Sequence, residues 1–311
     1  MNLKPIEQRP FNAETPLEAL AEPITPTPLF YVRNHFDVPR LNADTWRLKL
    51  DGEVEQPIQI GIKDLLALPS KTITVVMECA GNGRALMKPT PPGTPWRVGA
   101  VSSATFTGAS LSYLINRATL KKDAVEFILS GADEGEVAPH RITRFARSLA
   151  VAVCLHPDTI LAWEMNGEPL TPNHGFPVRL VVPNWYGVAS VKWLVHVSAV
   201  ATPFDGYFQK ERYIYEKESG TRDGTPLSLM RVRSLIVAPN DGAVVSSGPV
   251  EVSGIAWSGF GAIKRVQVSA DGGKAWDQAT LEPRKSDYGA TLWRLTWAPP
   301  ASGHYTLVAR A

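Results

Sequence analysis

The pattern of turns and apolar residues changes near residue 225, and this change favours a fold in two parts. Beyond that point, short runs that alternate apolar and polar side chains read SLIVAP, VEVSGIAW, IKRVQVSA, TLWRLTWAP and YTLVARA. Turn-forming segments such as NDG, SGFG and ADGG separate them. Short strands at regular spacing, without helical periodicity, are typical of an immunoglobulin-like β-sandwich. We predict such a sandwich over residues 226–311. Because the sequence stops inside a predicted strand, this expectation allows for a sandwich that lacks its last strand.

Residues 1–225 carry both strand and helix patterns. Strands are predicted over WRLKLDGEV, ITVVMECA, VEFILSGAD and VRLVVPNWYG, and helices over GIKDLLALPS and SLSYLINRATL. Residues 1–45 are rich in proline and are predicted to form an extended arm over the core. The expected fold class is therefore α+β, with a mixed α/β domain followed by an all-β sandwich.

Charge and cysteine content exclude several classes of protein. A net charge of +2 on 311 residues gives no basis for a nucleic-acid partner. No run approaches the roughly 18 apolar residues of a membrane span, and the N-terminal residues lack a signal-peptide pattern. We expect a cytoplasmic protein, or a periplasmic one if an export signal has been removed. Two cysteines make neither a disulfide framework nor a zinc ribbon, although a single disulfide stays open.

Cys79 is the first candidate for chemistry. In TVVMECAGNGRAL it follows an apolar run, small residues come next, and Arg84 supplies a charge that favours a thiolate. Cys154, in LAVAVCLHP, is expected to be a core residue. The residues leave two roles open for Cys79. It is either a nucleophile with His35 or His174 as base, or a ligand of a soft metal whose other ligands come from a cofactor.

Several cations lie among glycine, proline or aromatic residues rather than on a charged helical face: Arg33, Arg84, Arg179 and Lys192. Singly, each reads as a surface charge. Together with the two histidines they suit a phosphorylated cofactor and an oxyanion substrate, because guanidinium groups bind such anions through paired hydrogen bonds. Asp133 reads as a turn residue, and Trp96 and Tyr213 read as packing residues with a polar group.

The order of five motifs resembles the sulfite oxidase family of molybdenum-cofactor enzymes. These motifs are FYVRNH, ECAGNGR, PWRVGAVSSATFTG, LAWEMNGEPLTPNHGFPVRLVVPNWYGVASVKWL and AWSGFGAIKRVQVSADGGKAW. The resemblance implies a mixed α/β cofactor domain followed by an immunoglobulin-like domain that forms a homodimer. It also implies a molybdenum and molybdopterin cofactor, with Cys79 as the thiolate ligand of the metal.

The resemblance assigns further residues by their match to the motifs. The cofactor-binding positions are Tyr31, Val32, Arg33, Asn34, His35, Asp133, His174, Arg179, Ser190, Val191 and Lys192. The catalytic positions, which form an anion pocket above the metal, are Arg33, Arg84, Trp96 and Tyr213. Gly81 and Gly83 are expected to let the loop pass close to the metal and the pterin.

The implied reaction is oxygen-atom transfer, with electrons passed to an external carrier such as a cytochrome. No CxxCH haem-attachment motif occurs, so no haem is expected in this chain. Gly83 replaces a family arginine, and Arg84 keeps the pocket position. Sulfite-oxidising members carry an arginine in the loop where this chain has Phe260 and Ala262. The substrate is therefore sulfite, another oxyanion or an S-oxide, depending on whether Arg212 or Arg265 reaches the pocket.

Two other classes remain at this stage. A metal-free enzyme would use Cys79 with His174, and a non-catalytic interaction protein would use the sandwich to bind a partner.

Overall fold

The computed structural model describes residues 1–216, 222–245 and 248–311. It confirms a mixed α/β region followed by an all-β sandwich. No helix in the described ranges is both long and apolar enough to cross a membrane.

The N-terminal arm is docked on the core, as predicted. Strands β1 (Lys4–Gln8) and β2 (Phe11–Glu14) form an antiparallel hairpin. Ala13 exchanges two backbone hydrogen bonds with Val32, at 3.0 and 2.9 Å. These bonds bring the hairpin against the FYVRNH segment, which enters the candidate site.

The first sheet carries Cys79 at the end of one strand. Its order is β10-β9-β6-β5, with β11 also paired to β9. The bounds are β5 Ser70–Glu78, β6 Val101–Ser110, β9 Ile160–Met165, β10 Glu168–Pro169 and β11 Arg179–Val181. β5 and β6 are antiparallel from Ser70↔Ala109 to Glu78↔Val101. Since successive side chains of a strand point to opposite faces, Met77 and Cys79 share one face and Val76 and Glu78 the other.

The second sheet packs its apolar face against the helices and against part of the first sheet. Its order is β4-β3-β12-β7-β8, with β3 and β12 parallel and the other pairs antiparallel. The bounds are β3 Arg47–Gly52, β4 Ile58–Gly61, β7 Glu126–Ala138, β8 Arg141–Ala150 and β12 Leu194–Val200. The core between them includes Leu50, Phe127, Leu161 and Cys154. Cys154 is fully buried there, which confirms its prediction as a core residue.

The helices of the described residues are short. They are α1 (Ile62–Leu66), α2 (Ser112–Ala118) and α3 (Val151–Cys154), together with 3₁₀ turns at Leu17–Leu20, Thr27–Leu29, Arg84–Leu86, Pro172–His174 and Gly187–Ala189 and a π-helical turn at Tyr207–Glu211. α1 and α2 lie inside the two predicted helical segments. α3 was not predicted, because four residues are too few to show a helical period.

The C-terminal region is a sandwich of two sheets. One has the order β15-β16-β20-β19 and the other β18-β17-β21. The bounds are β15 Arg233–Ala238, β16 Val250–Trp257, β17 Gln267–Ser269, β18 Asp277–Gln278, β19 Thr280–Leu281, β20 Thr291–Trp297 and β21 Val308–Arg310. Val252, Val268 and Trp293 lie between the two sheets. The connecting hairpin, β13 (Ile214–Glu216) and β14 (Arg222–Pro226), precedes it.

The sandwich also packs on the strand that leads to Cys79. Val76 of β5 shares an apolar cluster with Met230 and Trp257. Its backbone N–H donates to the Tyr288 carbonyl at 2.8 Å, and Ser286 Oγ donates to the Thr74 carbonyl at 2.6 Å. The two parts of the chain therefore share a core beside the candidate site.

Candidate functional site

A cavity opens beside Cys79, between the FYVRNH segment, the end of β5 and the segment 173–193. Its lining residues are Phe30, Tyr31, Arg33, Asn34, His35, Met77, Cys79, Ala80, Asp133, Phe145, Asn173, Arg179, Gly187, Val188, Ser190, Lys192, Trp193 and Tyr213. Segments far apart in sequence meet here, and most of the polar side chains in its wall carry positive charge or none.

The Cys79 loop is held by backbone hydrogen bonds. Cys79 N–H donates to the Ala100 carbonyl at 2.9 Å, and Asn82 N–H donates to the Cys79 carbonyl at 2.9 Å. Gly83 has φ +90°, a backbone conformation that residues with a Cβ rarely adopt. A Cβ on Gly81 would lie 2.8 Å from Arg84 Nη1, and one on Gly83 would lie 3.1 Å from Arg233 Nη2. Within the chain, the two glycines thus make room for arginine side chains.

The Cys79 thiol is 6% exposed and lies in a mixed electrostatic environment. Burial, the largest effect, raises its pKa. The Arg33 and Arg84 charges and a hydrogen bond from the Gly81 backbone lower the pKa, while the Glu78 charge raises it. A ligand that supplies positive charge would favour the thiolate form strongly.

Arg33, His35 and Tyr213 form one polar group in the lining of the cavity. His35 Nε2 and the Tyr213 hydroxyl are 2.6 Å apart. Burial and the Arg33 charge lower the pKa of His35 well below its usual value, so its ring is neutral. Burial raises the pKa of Tyr213, and Arg33 lowers it. Phe145 stacks on the His35 ring at 4.8 Å between centroids, which orients the histidine.

Asn34, Asp133 and Lys192 form a second polar group. Lys192 Nζ donates to Asn34 Oδ1 and, at 2.9 Å, to the Asn173 carbonyl. Burial raises the pKa of Asp133 to about 6, although the Lys192 charge opposes this rise. Burial and then the Arg179 charge lower the pKa of Lys192. Asp133 Oδ1 is buried without a hydrogen-bond partner, so the site holds an unused acceptor.

Arg179 places a guanidinium group at the base of the cavity. It is 3% exposed and donates to the carbonyls of His174 and Ser190, each at 3.1 Å, and to Met77 Sδ at 3.4 Å. Burial lowers its pKa to about 10. Its Nε also lies 3.5 Å from the Leu180 carbonyl. All four acceptors are neutral, so the charge of Arg179 is available to an anion.

The predicted site residues divide into two groups. Ten line the cavity: Tyr31, Arg33, Asn34, His35, Cys79, Asp133, Arg179, Ser190, Lys192 and Tyr213. Five are not among the lining residues: Val32, Arg84, Trp96, His174 and Val191.

Those five side chains have other contacts. Val32 pairs with the arm, and Val191 packs in the main core. Arg84 donates to the Thr94 carbonyl at 2.9 Å. His174 Nε2 lies 3.3 Å from the Thr27 carbonyl, and burial lowers its pKa to about 3. Trp96 is fully buried with its Nε1 unpartnered, so it carries a second unused polar group in the apolar cluster of Cys79.

Sequence reasoning missed several lining residues, including Phe30, Met77 and Asn173. Met77 could have been found, because it precedes Cys79 by two positions in a strand and therefore shares its face. Asn12 had no local signal. Its Oδ1 accepts from Asn34 N–H at 2.6 Å, a contact made by the folded arm.

Comparison with known proteins gives a consistent answer. Residues 35–208 match the family described as oxidoreductase molybdopterin binding domain, and residues 226–299 match the Mo-co oxidoreductase dimerisation domain. The chain is 38% identical to mitochondrial sulfite oxidase of Rattus norvegicus, over 94% of this chain and 57% of the relative. It is 34% identical to sulfite oxidase of Arabidopsis thaliana, over 91% of this chain and 77% of the relative.

A solved structure agrees with these matches. The sulfane dehydrogenase SoxCD from Paracoccus pantotrophus superposes with a TM-score of 0.86 at 28% identity, over 99% of this chain and 78% of the other. The chain spans 57% of the length of the rat relative.

The residues of the cavity fit a molybdopterin cofactor. The free acceptor Asp133 Oδ1 suits a hydrogen-bond donor of a bound group, and the buried charge of Arg179 suits a phosphate. Cys79 supplies the soft sulfur donor that molybdenum accepts. The sequence matches, the superposed fold and this donor set lead to one conclusion: the chain belongs to the sulfite oxidase family of molybdenum-cofactor oxidoreductases.

Proposed function

We propose that this chain is the catalytic unit of a molybdopterin-dependent oxidoreductase that oxidises a small sulfur oxyanion of the sulfite type. The observation that carries the proposal is that Cys79, Arg33 and Tyr213 line one cavity. A thiolate for the metal and a guanidinium for an oxyanion lie together there.

Each residue would have a distinct role. Cys79 would hold the metal through its sulfur, while Arg179, Lys192 and Asp133 would hold the pterin and its phosphate. When bound, the cofactor supplies oxygen-atom transfer and two-electron redox chemistry, which amino-acid side chains do not offer.

The substrate would be bound by the polar lining residues that do not hold the cofactor. Arg33 would donate hydrogen bonds to an oxyanion, and the Tyr213 hydroxyl, oriented by neutral His35, would donate another. Arg84 would add positive charge, since its charge lowers the pKa of both Cys79 and Tyr213. The Phe145 and Phe208 rings, which pack against His35, would exclude water and strengthen these contacts.

A second candidate activity is reduction of a neutral S-oxide. Residues 258–263 are not among the described residues that line the cavity, and Phe260 is 67% exposed. Each guanidinium contact with an oxyanion contributes on the order of 1.5–3 kcal/mol. A pocket short of one such contact would bind sulfite less tightly and would accept a neutral substrate more readily. Arg212 supports sulfite oxidation, because its charge is close enough to the cavity to lower the pKa of His35.

We also propose that the protein works as a homodimer and passes electrons to a separate carrier such as a cytochrome. The match of residues 226–299 to a dimerisation domain supports the dimer. Light scattering at micromolar concentration should give twice the chain mass of 33.9 kDa. A monomer would contradict this proposal.

The test combines metal analysis with a substrate panel on protein made in a host that synthesises molybdopterin. About one molybdenum per chain and sulfite oxidation with a dye acceptor are expected. Arg33→Gln should lower kcat/KM for sulfite by roughly 10- to 150-fold without metal loss. The control is Arg294→Gln, which removes an exposed ion pair with Glu282 in the sandwich.

The outcomes separate the candidates. A molybdenum-loaded protein that reduces S-oxides and leaves sulfite unchanged would select the second activity. Phe260→Arg should then raise sulfite turnover without helping an S-oxide. A metal-free protein whose activity depends on Cys79 would contradict both candidates.

A further inference from the structure

The strand that ends at Cys79 has a second face, which contacts the sandwich. Because side chains alternate along β5, Glu78 points away from the face shared by Met77 and Cys79. Val76, on the same face as Glu78, packs with Met230 and Trp257. The residue next to Cys79 in sequence therefore belongs to the interface between the two domains.

The Glu78 carboxylate is 1% exposed, and both of its oxygens have partners. Oε1 accepts from Arg233 Nη1 at 2.6 Å and from Asn82 Nδ2 at 3.1 Å. Oε2 accepts from Trp257 Nε1 at 2.9 Å. Two of the three donors come from the sandwich, so the carboxylate joins the domains directly.

Arg233 also contacts the Cys79 loop itself. Its Nη1 donates to the Asn82 carbonyl at 3.0 Å, and its guanidinium lies 5.8 Å from the Trp257 ring centroid. Gly83 provides space for this group, since a Cβ there would lie 3.1 Å from Arg233 Nη2. One arginine of the sandwich thus contacts residues on both sides of Cys79.

Asn82 extends the contact to the next strand. Its Oδ1 accepts from Ala100 N–H at 3.1 Å, while the Ala100 carbonyl accepts from Cys79 N–H at 2.9 Å. Both carboxylate oxygens of Glu78 and the side-chain oxygen and nitrogen of Asn82 have partners, and such pairing of buried groups restricts the conformation of the loop.

We propose that the Glu78–Arg233 ion pair is the contact by which the sandwich holds Cys79 in position, which makes Glu78 and Arg233 positioning residues. This inference gives the C-terminal domain a role at the site in addition to dimerisation. It rests on the proposed function only in taking Cys79 as the metal ligand.

The test measures the accessibility of Cys79 in the full-length chain purified without cofactor. Iodoacetamide alkylation is followed at Cys79 by peptide mass spectrometry, with fully buried Cys154 as the internal reference. The variants are Arg233→Met, Arg233→Lys and Glu78→Gln. The control is Tyr288→Phe, which removes a hydrogen bond to Asp158 at the same domain interface, away from the loop.

Arg233→Met and Glu78→Gln should raise the alkylation rate of the Cys79 thiolate by about tenfold or more, because the loop opens locally. The thiolate rate is taken from the pH dependence of alkylation, since loss of the Glu78 charge by itself lowers the pKa of Cys79. Arg233→Lys, which keeps the charge, should stay within about threefold of the wild type. In cofactor-loaded protein, Arg233→Met should also lower the molybdenum retained per chain after gel filtration. Tyr288→Phe should change neither quantity.

Wild-type alkylation rates in both Arg233→Met and Glu78→Gln would overturn the inference. An equal rise in Tyr288→Phe would also overturn it, because general separation of the domains would then explain the effect. If Arg233→Met does not fold, the near-isosteric Glu78→Gln decides by the same criterion. A wild type without molybdenum would contradict the proposed function, while the alkylation rates would still decide this inference.

Discussion

Replacing Arg179 by methionine tests whether the buried cation of the cavity is there to bind an anion. The guanidinium is 3% exposed, and it donates to the carbonyls of His174 and Ser190, each at 3.1 Å. Methionine keeps much of the volume and removes the charge. In the cofactor-free chain, the substitution therefore removes a desolvation cost, these two hydrogen bonds, and longer contacts with the Leu180 carbonyl and Met77 Sδ.

The magnitudes nearly cancel in the cofactor-free chain. A fall in the pKa of Arg179 from 12.5 to about 10 corresponds to roughly 3 kcal/mol of unfavourable burial. Two hydrogen bonds from a charged donor contribute on the order of 1.5–3 kcal/mol each in the opposite direction. We expect Arg179→Met to lower the free energy of unfolding by about 3 kcal/mol or less. Cofactor affinity should fall by roughly 10- to 150-fold, since the anion loses a charge-assisted contact.

The assay compares urea unfolding of the cofactor-free chain with the molybdopterin retained by the loaded protein. Arg147→Met is the matched control. Arg147 is fully buried, its pKa is also lowered to about 10, and it donates to backbone carbonyls of Phe208 and Leu227. Arg147→Met should lower the free energy of unfolding by a similar amount and should retain the cofactor. The reasoning is refuted if Arg179→Met keeps the cofactor, or if both variants lose it equally.

Three further predictions concern single side chains. In activity assays and thermal unfolding, Cys79→Ser should keep the fold and abolish turnover, whereas Cys154→Ser should lower only thermal stability. The reverse result would show that the roles of the two cysteines are wrongly assigned. Tyr213→Phe leaves His35 without its hydroxyl partner and should lower kcat/KM by roughly 10- to 100-fold at unchanged molybdenum content. Unchanged kinetics would show that Tyr213 has only a packing role. His174 is neutral in the fold because burial lowers its pKa from 6.5 to about 3, so the unfolded chain binds the extra proton and stability is lost as pH falls through this window. In urea unfolding between about pH 4 and 6, His174→Asn should reduce the dependence of the free energy of unfolding on pH by about 1.4 kcal/mol per pH unit. An identical dependence in wild type and variant would show that His174 is charged in the fold.

Local sequence patterns predicted the parts of the site that belong to one element. The apolar run before Cys79 is strand β5, and the glycine-containing loop follows it as expected. The same reasoning separated Cys79, at the cavity, from Cys154, in the core. The change of pattern near residue 225 likewise predicted the sandwich. These features depend on periodicity and residue size, which neighbouring residues establish among themselves.

Only the tertiary structure determined which distant side chains meet. His35 and Tyr213 are 178 positions apart, and Arg233 and Glu78 are 155 apart. The sequence shows that these groups need partners when buried, but many partners satisfy the same chemistry. Which partner each group has depends on how whole strands and loops pack against each other. Packing also brings Met77, which sequence reasoning missed, into the lining of the cavity, while the roles of Arg84 and Trp96 at the anion pocket stay predictions.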